Sequence, residues 1–542
     1  MFRRYGFNRW VWLFLIAITI VFMIPLIGQG IPSGHDLIYH FSRIVGSFDL
    51  LKRGEFPARM LPGFYYNLGY PVGIFYPMGI LYLASGLMTV GLDFVLSYKV
   101  LIITITFLTS ISMYFASFGI LKHRNAALLS TVVLVFSIYR GLVDLYIRAA
   151  IGEYIAFIFI PLAFYGIFRI LFENDRRGYL LAFAMLGLLT SHTLSTLMVV
   201  LLFVILLVFE VRRLFKDKTI FVTLIKAVII VLLIGAYYWL PMLEMMFSDT
   251  FQFSFPWTNL AENTLDSLSQ VLFISMNQGK FPFGYEVWNL LIIFIILITL
   301  RKKILHDRFI RIIVMFFILS FIVVSNIIPV EYLSFLNFIQ FPWRLLIFIS
   351  IFGAWIIGYG YSKSPFSNNV YVLIPSFLIL MTMYVISTSY YFNVEMKDYK
   401  YQAFPRFSIE HAYAEFLPEN IDMDYLITIR KQEGVVLSSP IEIEYSQDLL
   451  NFYVYYNQAE KENTAIEFPI IYYKGYAAYY MNDEQSGFLD VYKSKNGLVE
   501  VNLRSTDYGN IKIFYNGTRI QEYAMYGSIV SLVVVLYLML KK

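Results

Sequence analysis

The chain's architecture turns on Trp10-Val-Trp-Leu-Phe-Leu-Ile-Ala-Ile-Thr-Ile-Val-Phe-Met-Ile-Pro-Leu-Ile27, a stretch with no charged side chain. Arg3, Arg4 and Arg9 precede it. A helix needs about 20 mostly apolar residues to cross a hydrocarbon core of about 30 Å. Comparable runs recur along the chain as far as Tyr390. Lipid offers the backbone no hydrogen-bond partners, so such runs must be helical. They lack the alternation of strands, which argues against a β-barrel. The first run has the basic flank of a signal peptide but no small-x-small cleavage site, and more runs follow it. It predicts a retained helix with the N-terminus in the cytoplasm.

Composition agrees. The chain is 59% apolar and 15% charged, with a mean hydropathy of +0.65, well outside soluble usage. A pI near 8.8 does not imply nucleic acid as a partner, because much of the basic excess lies in short loops between apolar runs. With no cysteine, disulfides, thiolate metal sites and cysteine nucleophiles are excluded.

Basic loops set the expected topology. The clusters Lys122-His123-Arg124, Arg176-Arg177, Arg212/Arg213/Lys216/Lys218, Arg301-Lys302-Lys303 and Lys541-Lys542 belong in the cytoplasm by the positive-inside rule. Parity then keeps residues 28–96 outside. Pro71–Val90, loaded with Pro71, Pro77, Gly73, Gly79 and Gly86, reads as a helix lying on the membrane or dipping into it. Further crossings are expected at 97–121, 126–140, 151–171, 179–191, 193–210, 222–243, 287–300, 309–328, 343–361 and 370–390. With Tyr523–Leu540 they make about 12 transmembrane helices, both termini inside. The two runs flanking Ser191-His192 are short. One long tilted helix would serve equally there and would break the parity.

Residues 391–522 differ in kind. They carry 12 Lys and Arg against 20 Asp and Glu, while the rest of the chain carries 30 against 17. Ile441–Tyr445 and Phe452–Tyr456 alternate as half-buried strands do. Asn496-Gly497 suits a type I′ hairpin turn. An extracellular β-sandwich is expected here, ahead of the last helix at 523–542 and after a membrane domain over 1–390. Its tyrosines are strand filler or a carbohydrate-contacting surface. Asn516-Gly-Thr518 matches a glycosylation sequon, a short and weak pattern.

Four groups of polar residues could carry chemistry. After the first run, Leu37, Phe41, Ile44, Phe48 and Leu51 form an apolar helical stripe, and Asp36, His40, Arg43 and Ser47 form a polar one. That polar stripe either meets water on an interfacial helix or gathers an acid, an imidazole and a guanidinium for function. Arg140, Asp144 and Arg148 recur at four-residue intervals before Glu153. They read as a structural ion-pair ladder or as a phosphate site, which forked guanidinium donors suit. His192, inside an apolar run, is a packed histidine or a site residue. Arg344, in Gln340-Phe-Pro-Trp-Arg344, either snorkels to headgroups or faces a cavity. No P-loop, dinucleotide fingerprint, nucleophile elbow or zincin motif occurs.

Gly69-Tyr70-Pro71, Tyr76-Pro77 and an acid in the first outer loop resemble the GT-C superfamily of membrane glycosyltransferases. Arg148-Ala-Ala-Ile-Gly-Glu153, His192, Gln340-Phe-Pro-Trp-Arg344 and the late β domain are similar to its YfhO-like branch of bacterial membrane proteins, often labelled "6-pyruvoyl-tetrahydropterin synthase related". Nothing in the chain offers the zinc-binding histidines of a pterin enzyme. The first loop departs from the common GT-C pattern, which has an acidic pair where this chain has His35-Asp36.

The resemblance implies a GT-C-like fold and a place in a bacterial cell membrane. It also implies transfer of a sugar, with inversion, from a polyprenyl-phosphate-linked donor to a cell-wall polymer, glycolipid or protein acceptor outside. Asp36 would be the general base, and Arg148 and Arg344 would stabilise the departing phosphate. His40 and Glu153 would orient these groups or hold a divalent ion, magnesium or manganese, although no spacing demands one. Two other classes stand beside it. One is a transporter or flippase for a lipid-linked sugar. The other is a non-catalytic scaffold.

Overall fold

The apolar runs fold as helices. The computed structural model describes residues 6–27, 30–32, 34–254, 287–369, 374, 377–382, 384–385, 396–397, 414–421, 425, 436–437, 443–456, 464–503 and 509–541. Helices α1 (Arg9–Phe22), α2 (Leu37–Lys52), α3 (Val72–Phe75), α4 (Leu81–Thr89), α5 (Phe94–Leu121) and α6 (Arg124–Val135) come first. A π-helix over Tyr139–Ile147 follows α6. Next are α7 (Ile151–Phe172), α8 (Tyr179–Leu189), α9 (Thr193–Phe209), α10 (Val211–Lys216) and α11 (Lys218–Met246). The remaining helices are α12 (Val287–Thr299), α13 (Arg301–His306), α14 (Arg308–Val324), α15 (Leu346–Ser362) and α16 (Arg519–Leu540).

Among the described residues six helices are long and apolar enough to cross a membrane: Phe94–Leu121, Arg124–Ile147, Ile151–Phe172, Lys218–Met246, Pro342–Ser362 and Arg519–Leu540. Helices α1, α8, α9 and α12 are apolar but shorter. The chain is therefore a mostly helical membrane protein with a C-terminal β-sheet region. Most of the expected span at 370–390 lies outside the described residues. Helix α4, about 13 Å long at 1.5 Å per residue, is too short to cross.

The chain divides into two compact units. The first comprises Met1–Ile38, Leu92–Leu232 and Pro256–Tyr401. Its innermost helices are α6 with the π-helix, and α15: their apolar windows are 100% and 94% buried. Hydroxyls in α5 and α6 fold back on the backbone, Thr109 onto Ile105 O and Thr131 onto Ala127 O, so each donor is satisfied without a partner helix. Trp355 Nε1 donates to Ser117 Oγ at 2.9 Å, tying α15 to α5. Helices α8 and α9 are separate. The His192 ring accepts the Ser195 N–H at 3.2 Å and so caps α9, which excludes one long helix through Ser191-His192.

The second unit comprises Tyr39–Gly91, Leu233–Phe255 and Gln402–Lys542. Here the polar stripe of α2 does not meet water: His40, Arg43 and Ser47 are buried. Arg43 donates to Pro77 O at 2.6 Å, contacts His40 Nδ1 at 3.1 Å and lies over the Tyr76 ring. Ser47 meets Ser85 of α4. The break at Pro77 leaves carbonyls without helical donors, and the stripe supplies donors to them.

The β region has two antiparallel sheets. Strands β1 (Ile31–Pro32) and β2 (Met396–Lys397) pair by themselves in the first unit. In the second unit one sheet is ordered β3-β6-β10-β9, from β3 (Val436–Leu437), β6 (Thr464–Ile471), β9 (Val491–Lys493) and β10 (Leu498–Leu503). The other is ordered β4-β5-β11-β7-β8, from β4 (Ile443–Asp448), β5 (Asn451–Tyr456), β7 (Tyr476–Met481), β8 (Ser486–Leu489) and β11 (Gly509–Tyr515). Alternate residues such as Ile511 and Ile513, or Val499 and Val501, are buried, as period-two strands require. The β9–β10 turn is not type I′. Gly497 has φ +79 but Asn496 does not have positive φ, and Gly497 N bonds back to Ser494 O. The turn is a longer one with glycine in the left-handed position.

Candidate functional site

The polar cluster of the first unit is built around the turn joining the π-helix to α7. In a π-helix the backbone bonds run from i+5 to i, and Arg148 N reaches Val143 O at 2.8 Å in that pattern. The chain then passes through Ala149 at φ +53, a left-handed conformation that alanine rarely takes, before α7 begins. Against this turn lies the segment after the first apolar run. His35 N donates to Ile147 O at 3.0 Å and Asp36 N to Arg148 O at 2.8 Å. Gly34 permits the approach, since a Cβ there would stand 2.5 Å from Tyr146 O. Backbone bonds therefore hold Asp36 beside the arginine turn.

Side chains complete the cluster. Arg148 Nη1 donates to Asp144 Oδ1 and to Glu153 Oε2, each at 2.9 Å, and lies 3.1 Å from the Tyr139 hydroxyl. Tyr139 in turn donates to Glu153 Oε1 at 2.6 Å. Arg344 Nε stands 4.0 Å from Glu153 Oε2, and its Nη1 donates to Gln340 Oε1 and Ile339 O. Arg344 is thus directed toward Glu153, Gln340 and the Ile339 carbonyl. Asp144 and Glu153 are fully buried, and Arg148 and Arg344 nearly so.

The expected ladder is only half formed. Arg148 pairs with Asp144, but among the described residues Arg140 makes no ion pair. Arg140 donates to Val135 O and its guanidinium lies over Tyr154 at 4.4 Å and Phe22 at 5.2 Å. The rings of Tyr154 and Phe22 and the Val135 carbonyl stand where a carboxylate partner for Arg140 was expected. His192 spends Nδ1 on the start of α9 and also lies near enough to Glu153 to act on its charge. His40 and Arg43 belong to the second unit, engaged with each other and with the Tyr76-Pro77 turn.

The structure therefore brings together Asp36, Asp144, Arg148, Glu153 and Arg344 in one unit. Tyr139, Gly34 and Gln340 also build the cluster. Tyr139 directly precedes Arg140 in the sequence, and Gln340 opens the Gln340-Phe-Pro-Trp-Arg344 stretch. Among the described residues no group of three His, Asp or Glu side chains is placed to hold a metal ion. Asp144 and Glu153 each commit oxygen to Arg148 instead.

No protein-family model matches the chain. It is similar to a protein of Lactococcus lactis subsp. cremoris (strain MG1363) described as "Uncharacterized protein", 24% identical over 318 residues. The match covers 56% of this chain and 51% of the relative, so the chain spans about half the length of the curated relative it matches.

Proposed function

We propose that the chain is a GT-C-type membrane glycosyltransferase of the YfhO-like kind, with a dozen crossings and an outer β domain. It moves a sugar from a polyprenyl-phosphate carrier to an acceptor hydroxyl on the outer face. The observation that carries this reading is the backbone clamp of Asp36 onto the Arg148 turn, with Arg344 approaching from α15's N-terminal side. A carboxylate and two guanidiniums are what such a transfer needs.

In the reaction the acceptor hydroxyl gives its proton to the Asp36 carboxylate as its oxygen bonds to the anomeric carbon. The bond from that carbon to the phosphate oxygen breaks, and the electron pair leaves with polyprenyl phosphate. Arg148 and Arg344 stabilise the charge that develops there. Attack opposite the leaving group inverts the anomeric centre.

The scaffold reading has one observation in its favour. Arg148 is already shared among Asp144, Glu153 and Tyr139, as in a structural ion network. Release of polyprenyl phosphate from carrier-linked glucose, mannose and N-acetylglucosamine, presented together with cell-wall polymer and glycolipid acceptors to the purified protein in vesicles, separates the two. Release from at least one donor supports transfer. Binding of donors without release from any of them supports the scaffold.

A further inference from the structure

A second charged site lies at the other ends of these helices, apart from the Arg148 cluster. A cavity of about 430 Å³ opens between the end of α7, α10, the start of α11 and the start of α14. Phe172, Arg212, Arg213, Lys216, Asp217 and Arg308 line it. The acids in and beside it are committed. Buried Glu210 takes a bidentate pair from Arg308 and also meets Arg213 at 3.5 Å. Asp217 accepts from Arg176 at 2.6 Å and from the Thr219 N–H. Arg213 also donates to Leu171 O, and both Arg213 and Arg308 lie over the Phe172 ring.

Two cations are left over. Arg212 and Lys216 have no side-chain partner among the described residues, and their four-residue spacing places them on one face of α10. Four basic groups thus line the cavity against one acid, Asp217, which is itself paired. Beside them the chain exposes large apolar side chains, with Phe209 62% and Phe215 81% accessible. A site for a free anion has no use for exposed phenylalanines, whereas a site at a lipid surface does. The positive-inside rule assigns this end to the cytoplasm, where the facing leaflet is anionic.

We propose that this pocket binds the phosphate-bearing headgroup of an anionic phospholipid, with Phe209 and Phe215 in the adjoining acyl region. The site is independent of the proposed transferase chemistry. The test is titration of dioctanoyl phosphatidylglycerol into the full-length protein in a zwitterionic detergent, with dioctanoyl phosphatidylcholine and sodium phosphate as separate arms. Phosphatidylglycerol should bind and the other two should not.

R212Q/K216Q should weaken phosphatidylglycerol binding about thirty-fold, at roughly fivefold per basic group near an anionic lipid surface. R301Q/K302Q removes the same charge elsewhere at this end and should change binding by less than about twofold. The charge-conserving R212K/K216R should bind as the natural chain does. If the glutamine pair fails to fold, R212Q alone should give about a fivefold loss. Equal weakening by R301Q/K302Q would overturn the proposal, as would binding of phosphatidylcholine or sodium phosphate as tight as that of phosphatidylglycerol.

Discussion

Arg148 holds two fully buried carboxylates at 2.9 Å each, and this decides what its loss does. Arg148→Ala leaves buried Asp144 without its ion pair and Glu153 with only Tyr139 and the more distant Arg344, a change that costs about 3–5 kcal/mol. Thermal unfolding in detergent should show that loss. Gly34→Ala should destabilise by about 1–3 kcal/mol, since the new methyl would press on Tyr146 O and Ala149. At this scale the sequence was only partly legible. The four-residue spacing of Arg140, Asp144 and Arg148 suggested a ladder, of which only the Asp144–Arg148 rung forms. No residue pattern announced the π-helix over Tyr139–Ile147. Asp36 and Arg148 were both conspicuous as charges, but the bond between their backbones depends on a glycine and two peptide groups that carry no chemical label.

Among the elements, helices were legible wherever an apolar run was long, because lipid leaves the backbone no other way to satisfy its bonds. Helix α7 begins and ends within a residue of expectation. The polar stripe of α2 was visible as a stripe, but its burial was not. That burial depends on carbonyls freed at Pro77, far away in sequence. The β9–β10 turn was misjudged because Asn-Gly suits two hairpin geometries, and loop length chose between them. One contact makes a pH prediction at this scale. Arg53 donates to both carboxylate oxygens of Asp448 in β4 and holds that carboxyl below its ordinary value. A depressed carboxylate contributes stability above its unfolded value, near 4, and loses it as pH falls through the folded one. Arg53→Gln should therefore lower the unfolding temperature slightly at pH 7, and the difference should vanish by about pH 2. Both groups are largely exposed, so the effect should be small and reduced by salt.

For the whole molecule, orientation rests on basic loops and function on a few charged groups. The absence of native cysteine makes single-cysteine labelling clean. A cysteine at Asp93 should react with an impermeant reagent from outside and one at His123 should not. The reverse pattern would place the first loop inside. The central claim is sharper: Asp36 takes the acceptor's proton, and the donor is held by other groups. Its most direct test compares Asp36→Asn with the natural chain in one preparation, measuring both donor binding and release of polyprenyl phosphate. The account predicts donor affinity within about twofold and a fall in turnover of at least about a hundredfold, the lower range for loss of a general base. Turnover unchanged by Asp36→Asn would contradict it.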